Sequence, residues 1–147
     1  MSEIKVDNLT GKTSAGDITV TSEGGAATQS LQQGLTKAWV NFNGTGTVAV
    51  RDSLNTSSIS DSGTGKYSYN GSSSFSNANY CFSFGGGIHS DDRFFHAQTI
   101  HVDESGGGTA PTTTSTRINN FMNGNTSNSG NYSDHPYFSY KIHGDLA

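Results

Sequence analysis

Five histidines could supply metal ligands, and all lie in the C-terminal half of the chain: His89, His96, His101, His135 and His143. A zinc site needs three or four imidazole, thiolate or carboxylate ligands that converge in space. His96 and His101 are an odd number of residues apart on one predicted strand, so they face opposite sides of it. We therefore expect surface or hydrogen-bonded histidines, with no metal and no other cofactor. A site shared between identical subunits, with one or two ligands from each, stays open.

Two acidic pairs, Asp91-Asp92 and Asp103-Glu104, are the candidates for acid–base chemistry. Glycoside hydrolysis needs two carboxylates facing each other across a sugar-binding cleft. These pairs flank the two ends of one predicted strand, which places them more than about 30 Å apart when the strand is extended. The sequence also lacks the nucleophile-elbow, His-Glu-x-x-His and P-loop patterns. We therefore predict that the protein is not an enzyme.

Three long polar loops carry aromatic and charged side chains that suit a binding role. The predicted loops cover residues 85–93, 104–114 and 123–137. Aromatic rings together with Asn, Asp and His side chains grip the hydroxyls and C–H faces of sugars. The candidate receptor-binding residues are Arg93, Tyr132, His135 and Tyr137. The alternative is that these loops are variable surface connections without a ligand.

The strongest strand signal in the chain covers residues 38–52. Ala38, Val40 and Phe42 alternate with Trp39 and two asparagines, which is the period-2 pattern of a half-buried strand. The Asn43-Gly44 pair tolerates positive φ, and the alternation resumes after it. The pattern predicts a β-hairpin with Trp39 on the face away from Val40 and Phe42. We expect Trp39 to pack near the base of a stem or against a neighbouring subunit.

The rest of the C-terminal region reads as short strands separated by turns. Alternating apolar residues mark strands around Tyr67 and Tyr69, before the glycines at 85–87, and over residues 94–102, 117–122 and 136–143. Seven or eight such strands in about 110 residues are typical of a sandwich. The predicted fold is mainly β: residues 38–147 form an antiparallel β-sandwich of jelly-roll or immunoglobulin-like type, preceded by a thin β arm and one short helix.

Residues 1–25 and 26–37 are predicted to form an arm and a helical stem. The arm holds strand-like pieces at residues 3–9 and 16–21, and a disordered tail is the alternative. In residues 26–37, Leu31 and Leu35 belong to a narrow apolar stripe at helical spacing. Such a stripe suits a seam between parallel helices or a surface helix packed on the next domain. Leu31, Leu35 and Trp39 are therefore candidates for contacts in a trimer.

Composition and charge exclude several classes of protein. Only 31% of the residues are hydrophobic, but 10% are aromatic, which argues against disorder. The net charge is −4 with 8 lysines and arginines and no basic cluster, so nucleic-acid binding is not expected. One cysteine, Cys81, cannot form an intrachain disulfide. The sequence shows neither a signal peptide nor an apolar run that could insert into a membrane, so we expect synthesis in a cytosol.

The segment KAWVNFNGTGTVAVRDSLNTSSISDSGTGKYSYN, residues 37–70, resembles a segment of tail-fibre and related virion fibre proteins of tailed bacteriophages, especially those of marine bacteria. The shared features are Ala-Trp-Val-Asn-Phe-Asn-Gly, Arg-Asp-Ser, Asp-x-Gly-Thr-Gly and the aromatic strand that follows. Residues 76–80 and 136–142 also fit the pattern. The arm, residues 3–20, is similar to the virion-attaching start of such fibres.

The resemblance implies a homotrimeric virion protein that assembles in the host cytoplasm. Its N-terminal arm would join other virion proteins, and its β-domain would face outward as a short tail fibre that contributes to host attachment. A host surface glycan is then a candidate ligand. Because the chain lacks a long repetitive shaft, a head or collar fibre or a capsid-decorating protein without a receptor role remains an alternative. A monomeric carbohydrate-binding module is the third.

Overall fold

The computed structural model describes residues 3–15, 17–86, 95–98, 110–122 and 131–147. The chain forms two units, Met1–Leu35 and Thr36–Ala147. The boundary lies close to the predicted start of the β-domain at residue 38. The predicted strand at residues 94–102 and the predicted loops lie partly outside the described residues, and Arg93 lies wholly outside them.

The N-terminal unit contains two short strands and one turn of helix. Strands β1 (Thr19–Thr21) and β2 (Thr28–Ser30) pair antiparallel, and helix α1 (Leu31–Gly34) follows directly. The Ser30 hydroxyl accepts a hydrogen bond from the Gln33 amide and so caps the helix. Of the two predicted strand-like pieces, the one at residues 16–21 contains a strand, β1 (Thr19–Thr21). Residues 3–9 form none, because no described segment pairs with them.

The predicted helix over residues 26–37 is wrong for most of its length. Thr28–Ser30 pairs with β1, and Leu35 has extended backbone angles that end the helix after Gly34. A helix of about 12 residues is marginal in water, and the glycine at position 34 weakens it by about 1 kcal/mol relative to alanine. Leu31 is half-buried and Leu35 is exposed, so the two do not form a helical stripe.

The C-terminal unit consists of nine antiparallel strands in the described residues. They are β3 (Ala38–Asn43), β4 (Ala49–Leu54), β5 (Thr56–Asp61), β6 (Lys66–Gly71), β7 (Cys81–Gly86), β8 (Phe95–Gln98), β9 (Ser115–Met122), β10 (Asn131–Tyr132) and β11 (Phe138–His143). One sheet has the order β4-β3-β11-β7. The other has the order β10-β9-β6-β5, and β8 also pairs with β9. The mainly β fold with one short helix is confirmed, whereas the jelly-roll or immunoglobulin-like type stays a prediction.

The predicted hairpin is confirmed as β3 and β4. The register runs from Trp39 opposite Leu54 to Asn43 opposite Ala49, with a bulge between Asn41 and Phe42. The positive φ in the connecting turn belongs to Gly46, at 62°, rather than to the Asn43-Gly44 pair. The residue with positive φ therefore lies two positions after Gly44, which the sequence pattern had indicated.

The two sheets share one aromatic core. Alternate residues of β3 and β11 point inward and are almost completely buried: Ala38, Val40, Phe42, Phe138, Tyr140 and Ile142. Phe42 stacks on Phe138 with ring centroids 5.0 Å apart, and both rings meet Tyr67 of the opposite sheet edge-on. Tyr69 packs against Tyr140 at 5.8 Å. These contacts across the sheets bury the apolar residues that the period-2 pattern predicted.

Gly44 lies where the hairpin tip meets this core, and it leaves no room for a side chain. A Cβ atom at this position would lie 2.8 Å from Phe138 Cε2 and would also meet the Tyr67 hydroxyl. We expect Gly44→Ala to lower the free energy of unfolding by about 1–3 kcal/mol, because the packed rings would have to shift. Urea denaturation measures the change. Gly85→Ala is the matched control, since its Cβ would make an ordinary contact, 3.6 Å from Ser139 Cβ; equal effects of the two changes would contradict the prediction.

Candidate functional site

The outer face of the β4-β3-β11-β7 sheet brings together side chains that are distant in sequence. In the register, Lys141 of β11 lies between Trp39 of β3 and Ser83 of β7. One step along the strands, Ser139 lies between Asn41 and Gly85. Because side chains alternate across a sheet, these residues face away from the core that Val40 and Tyr140 fill. We call this set, Trp39, Asn41, Ser83, Gly85, Ser139 and Lys141, the outer face.

A pocket of about 490 Å³ opens on the outer face. It is lined by Trp39, Val40, Asn41, Ser83, Phe84, Gly85, Ser139, Tyr140 and Lys141. Its volume lies in the range of small-molecule sites, about 300–1,000 Å³. Gly85 contributes to the opening because it places no side chain above its strand.

Hydrogen bonds fix the polar side chains beside the pocket. The Asn41 Nδ2 group donates to Ser139 Oγ at 2.9 Å, and Arg51 Nη1 donates to Asn41 Oδ1 at 3.4 Å. The bulge in the hairpin occurs at this point, since Asn41 pairs with Asp52 whereas Phe42 pairs with Val50. Arg51 is thus the extra residue. Its guanidinium lies 4.5 Å from the centre of the Tyr137 ring, a cation–π contact.

The three predicted receptor-binding residues that the structure describes do not form one site. Tyr137 is 58% exposed and contacts Arg51 next to the outer face. Tyr132 is half-buried, with Lys66 Nζ of β6 4.2 Å from its ring centre. His135 is only 2% exposed and lies edge-on to the Phe138 ring. The His135 imidazole thus packs in the interior, and a receptor-binding role for these residues stays a prediction.

The segment that contains His135 is anchored to the hairpin tip. The Asp134 carboxylate accepts hydrogen bonds from the Gly65 amide at 2.7 Å and from the Tyr67 hydroxyl at 2.8 Å. The Gly44 amide donates to the His135 carbonyl at 2.7 Å. Burial, with the carboxylate of Asp134 next to it, raises the pKa of Tyr67 well above its usual range. This part of the predicted loop at 123–137 is thus structural, and its polar residues hold the turn in place.

The candidates for subunit contacts lie in different environments. Trp39 is half-buried and faces away from Val40 and Phe42, as its position in the strand predicted. Leu35 is 53% exposed. Whether any of these residues contacts another subunit stays a prediction.

His143 contacts the hydroxyl of Thr36: its Nε2 atom lies 3.2 Å from Thr36 Oγ1. Within the described ranges, no three His, Cys, Asp or Glu residues come close enough to hold a metal ion. In the same part of the chain, no helix has the length and apolar character of a membrane span.

Sequence reasoning did not identify the pocket. In the sequence, Trp39, Lys141 and Ser83 each alternate with the apolar residues of their own strand, which is the signal that could have found them. Their meeting depends on the pairing of β3 with β11 and β11 with β7, which no local pattern specifies. Comparison of this chain with known protein families, with characterised proteins and with solved structures finds no match.

Proposed function

We propose that this chain is a structural fibre protein of a tailed-bacteriophage virion, a homotrimeric short tail fibre that contributes to host attachment. The observation that carries the proposal is the N-terminal unit, which has no buried residue among residues 3–15 and 17–35. Its apolar side chains are exposed instead: Ile4 by 86%, Val6 by 59%, Leu9 by 60% and Val20 by 49%.

An arm of this kind needs a larger partner. A pair of three-residue strands is marginal in water on its own. Burying each of these aliphatic side chains stabilises a complex by about 1.5–3 kcal/mol. The arm thus has the composition of a segment that docks, and other virion proteins are the proposed partners. The family resemblance of residues 37–70 points to the same role.

The C-terminal unit differs from the arm in that it buries aromatic residues in a core of its own. Its outer face holds a pocket that combines Trp39 with the polar side chains of Asn41, Ser139 and Lys141. Such a domain suits display on the particle surface, where it meets the host. A head or collar fibre, or a capsid-decorating protein, would share the arm but not need the pocket. The pocket alone also fits a monomeric carbohydrate-binding module, which is the second candidate function.

Light scattering distinguishes these assemblies. We expect the purified chain to have three times the 15.4 kDa mass of one chain. Leu35→Asp is expected to lower the trimer's association at least tenfold, because a charge would replace an exposed leucine near the predicted interface. The measurement is the concentration at which the trimer dissociates.

Leu9→Asp is the matched control, since it makes the same change at an equally exposed leucine of the arm. The arm is proposed to dock on other virion proteins, so this variant should remain a trimer. A clean monomer at micromolar concentration, or a trimer insensitive to Leu35→Asp, would contradict the proposed assembly. A reconstruction of the virion then decides between a tail, collar and capsid position.

A further inference from the structure

The pocket on the outer face has the dimensions of a site for a single sugar ring. Neighbouring strands lie about 4.8 Å apart, and successive residues on one face of a strand lie about 6.7 Å apart. Three strands and two rows of side chains therefore give a floor of about 10 by 7 Å. All the described residues that line the pocket belong to the C-terminal unit.

The side chains around this floor match the two surfaces of a sugar. The Trp39 indole offers an apolar face on which the C–H groups of a ring can stack. The Ser83 and Ser139 hydroxyls and the Asn41 amide offer donors and acceptors to ring hydroxyls. Arg51 holds the Asn41 amide in place through Oδ1, while Asn41 itself donates to Ser139. The polar groups are thus oriented before a ligand arrives.

Charge narrows the class of ligand. Among the described residues that line the pocket, Lys141 carries the single charge, and it lies directly across from Trp39. Asp52 pairs with Asn41 on β4 but does not line the pocket, and its carboxylate accepts from the Ser53 amide. A cationic group beside an aromatic ring favours a ligand with an anionic group next to an apolar face.

We propose that this pocket binds an acidic sugar, that is, a saccharide whose ring carries a carboxylate. The ring stacks on Trp39, the carboxylate meets the Lys141 ammonium group, and ring hydroxyls bond to Asn41 and Ser139. The assignment rests on the proposed role in host attachment, and it names the class of host glycan. Arg51 is a positioning residue, since it acts through Asn41.

The chain contains a single tryptophan, Trp39, so its fluorescence reports directly on the pocket. The probes are the methyl glycosides of glucuronic, galacturonic and N-acetylneuraminic acid, titrated into the full chain. Methyl glucoside and methyl galactoside are the neutral counterparts of the two uronic acids. We expect at least one acidic glycoside to change the fluorescence and to bind at least tenfold more tightly than the neutral probes. Calorimetric titration gives the affinities independently.

Three variants test the assigned contacts. Lys141→Met is expected to lower the affinity for the acidic glycoside about tenfold and to remove the preference over neutral probes. Lys12→Met removes the same charge from an exposed position of the N-terminal unit. It should leave the affinity for the acidic glycoside and the preference over neutral probes unchanged. Gly85→Val is expected to abolish binding by filling the pocket. Its Cβ makes only an ordinary contact with Ser139, so the fold should persist, which the urea midpoint checks.

Each outcome decides the proposal. Binding of none of the three acidic glycosides, or equal binding of neutral and acidic ones, would overturn it. A Gly85→Val variant with an altered mass in light scattering would show that a second copy of the chain occupies the pocket, which also overturns it. A trimer that binds none of the probes would leave the proposed fibre assembly standing. A monomer that binds an acidic glycoside would overturn the trimer but keep the site.

Discussion

Phe42→Ala is expected to lower the free energy of unfolding of the C-terminal unit by about 3–5 kcal/mol. The Phe42 side chain is completely buried. It stacks on Phe138 of the adjacent strand and meets Tyr67 of the opposite sheet edge-on, so its removal leaves a cavity between the two layers. Small domains are stable by about 5–15 kcal/mol, and the variant would therefore lose a large share of the total.

Urea denaturation followed by far-ultraviolet circular dichroism measures this loss. Val50→Ala is the matched control, because Val50 pairs with Phe42 in the register but is 42% exposed. Val50→Ala should lower the free energy of unfolding by less than about 1 kcal/mol, because residue types differ in strand propensity by about that amount. Similar midpoints for the two variants would mean that Phe42 does not join the sheets as described.

Alkaline pH is expected to unfold the C-terminal unit steeply above pH 10. Burial raises the pKa of Tyr69 to about 12, and it raises the pKa of Tyr67, Tyr80 and Tyr140 above the ordinary value of 10.0. The folded state thus holds these protons more tightly than the unfolded state. The resulting stabilisation is complete below pH 10 and is lost as the pH rises toward the folded pKa values.

The size of this effect follows from the number of tyrosines. Above pH 10, each buried tyrosine lowers the free energy of unfolding by up to about 1.4 kcal/mol per pH unit. The four tyrosines together lower it by up to about 5 kcal/mol per pH unit. We expect unfolding within about two pH units above 10. Tyrosinate absorbance and circular dichroism should change in one shared transition.

Two conservative variants check that the buried hydroxyls cause this transition. Tyr140→Phe removes one buried hydroxyl and should move the midpoint to higher pH. Tyr137→Phe, at a position 58% exposed, should leave it where it is. Ionisation of all six tyrosines while the circular dichroism stays native would refute the explanation.

The faces of single strands were predictable because the alternation of side chains is a local property. In the strand predicted at residues 136–143, the alternating residues Phe138, Tyr140 and Ile142 point inward, and the predicted hairpin at residues 38–52 forms. The helix at residues 26–37 was not predictable, since its leucine spacing says nothing of the competing partner strand. Thr28–Ser30 finds that partner in β1, and pairing with it replaces the helical hydrogen bonds.

The candidate site was harder to predict for a related reason. A polar, aromatic loop suggests a ligand, yet within it Asp134 bonds to Tyr67 and His135 packs beside Phe138. The residue types that stabilise a turn are the same as those that bind a ligand, so the sequence does not distinguish the two roles. Among the predicted receptor-binding residues that the structure describes, Tyr137 alone comes near the pocket, through its contact with Arg51.

The pairing of β3 with β11 also constrains how the protein is made. These strands are neighbours in the centre of one sheet, but about a hundred residues of sequence separate them. Closing such a long loop is slow, and β3 has no partner on that side until residues 138–142 have been synthesised. During translation the hairpin therefore has one strand edge unpaired, which favours aggregation. Chaperones that shield unpaired strands are expected to raise the yield of folded protein.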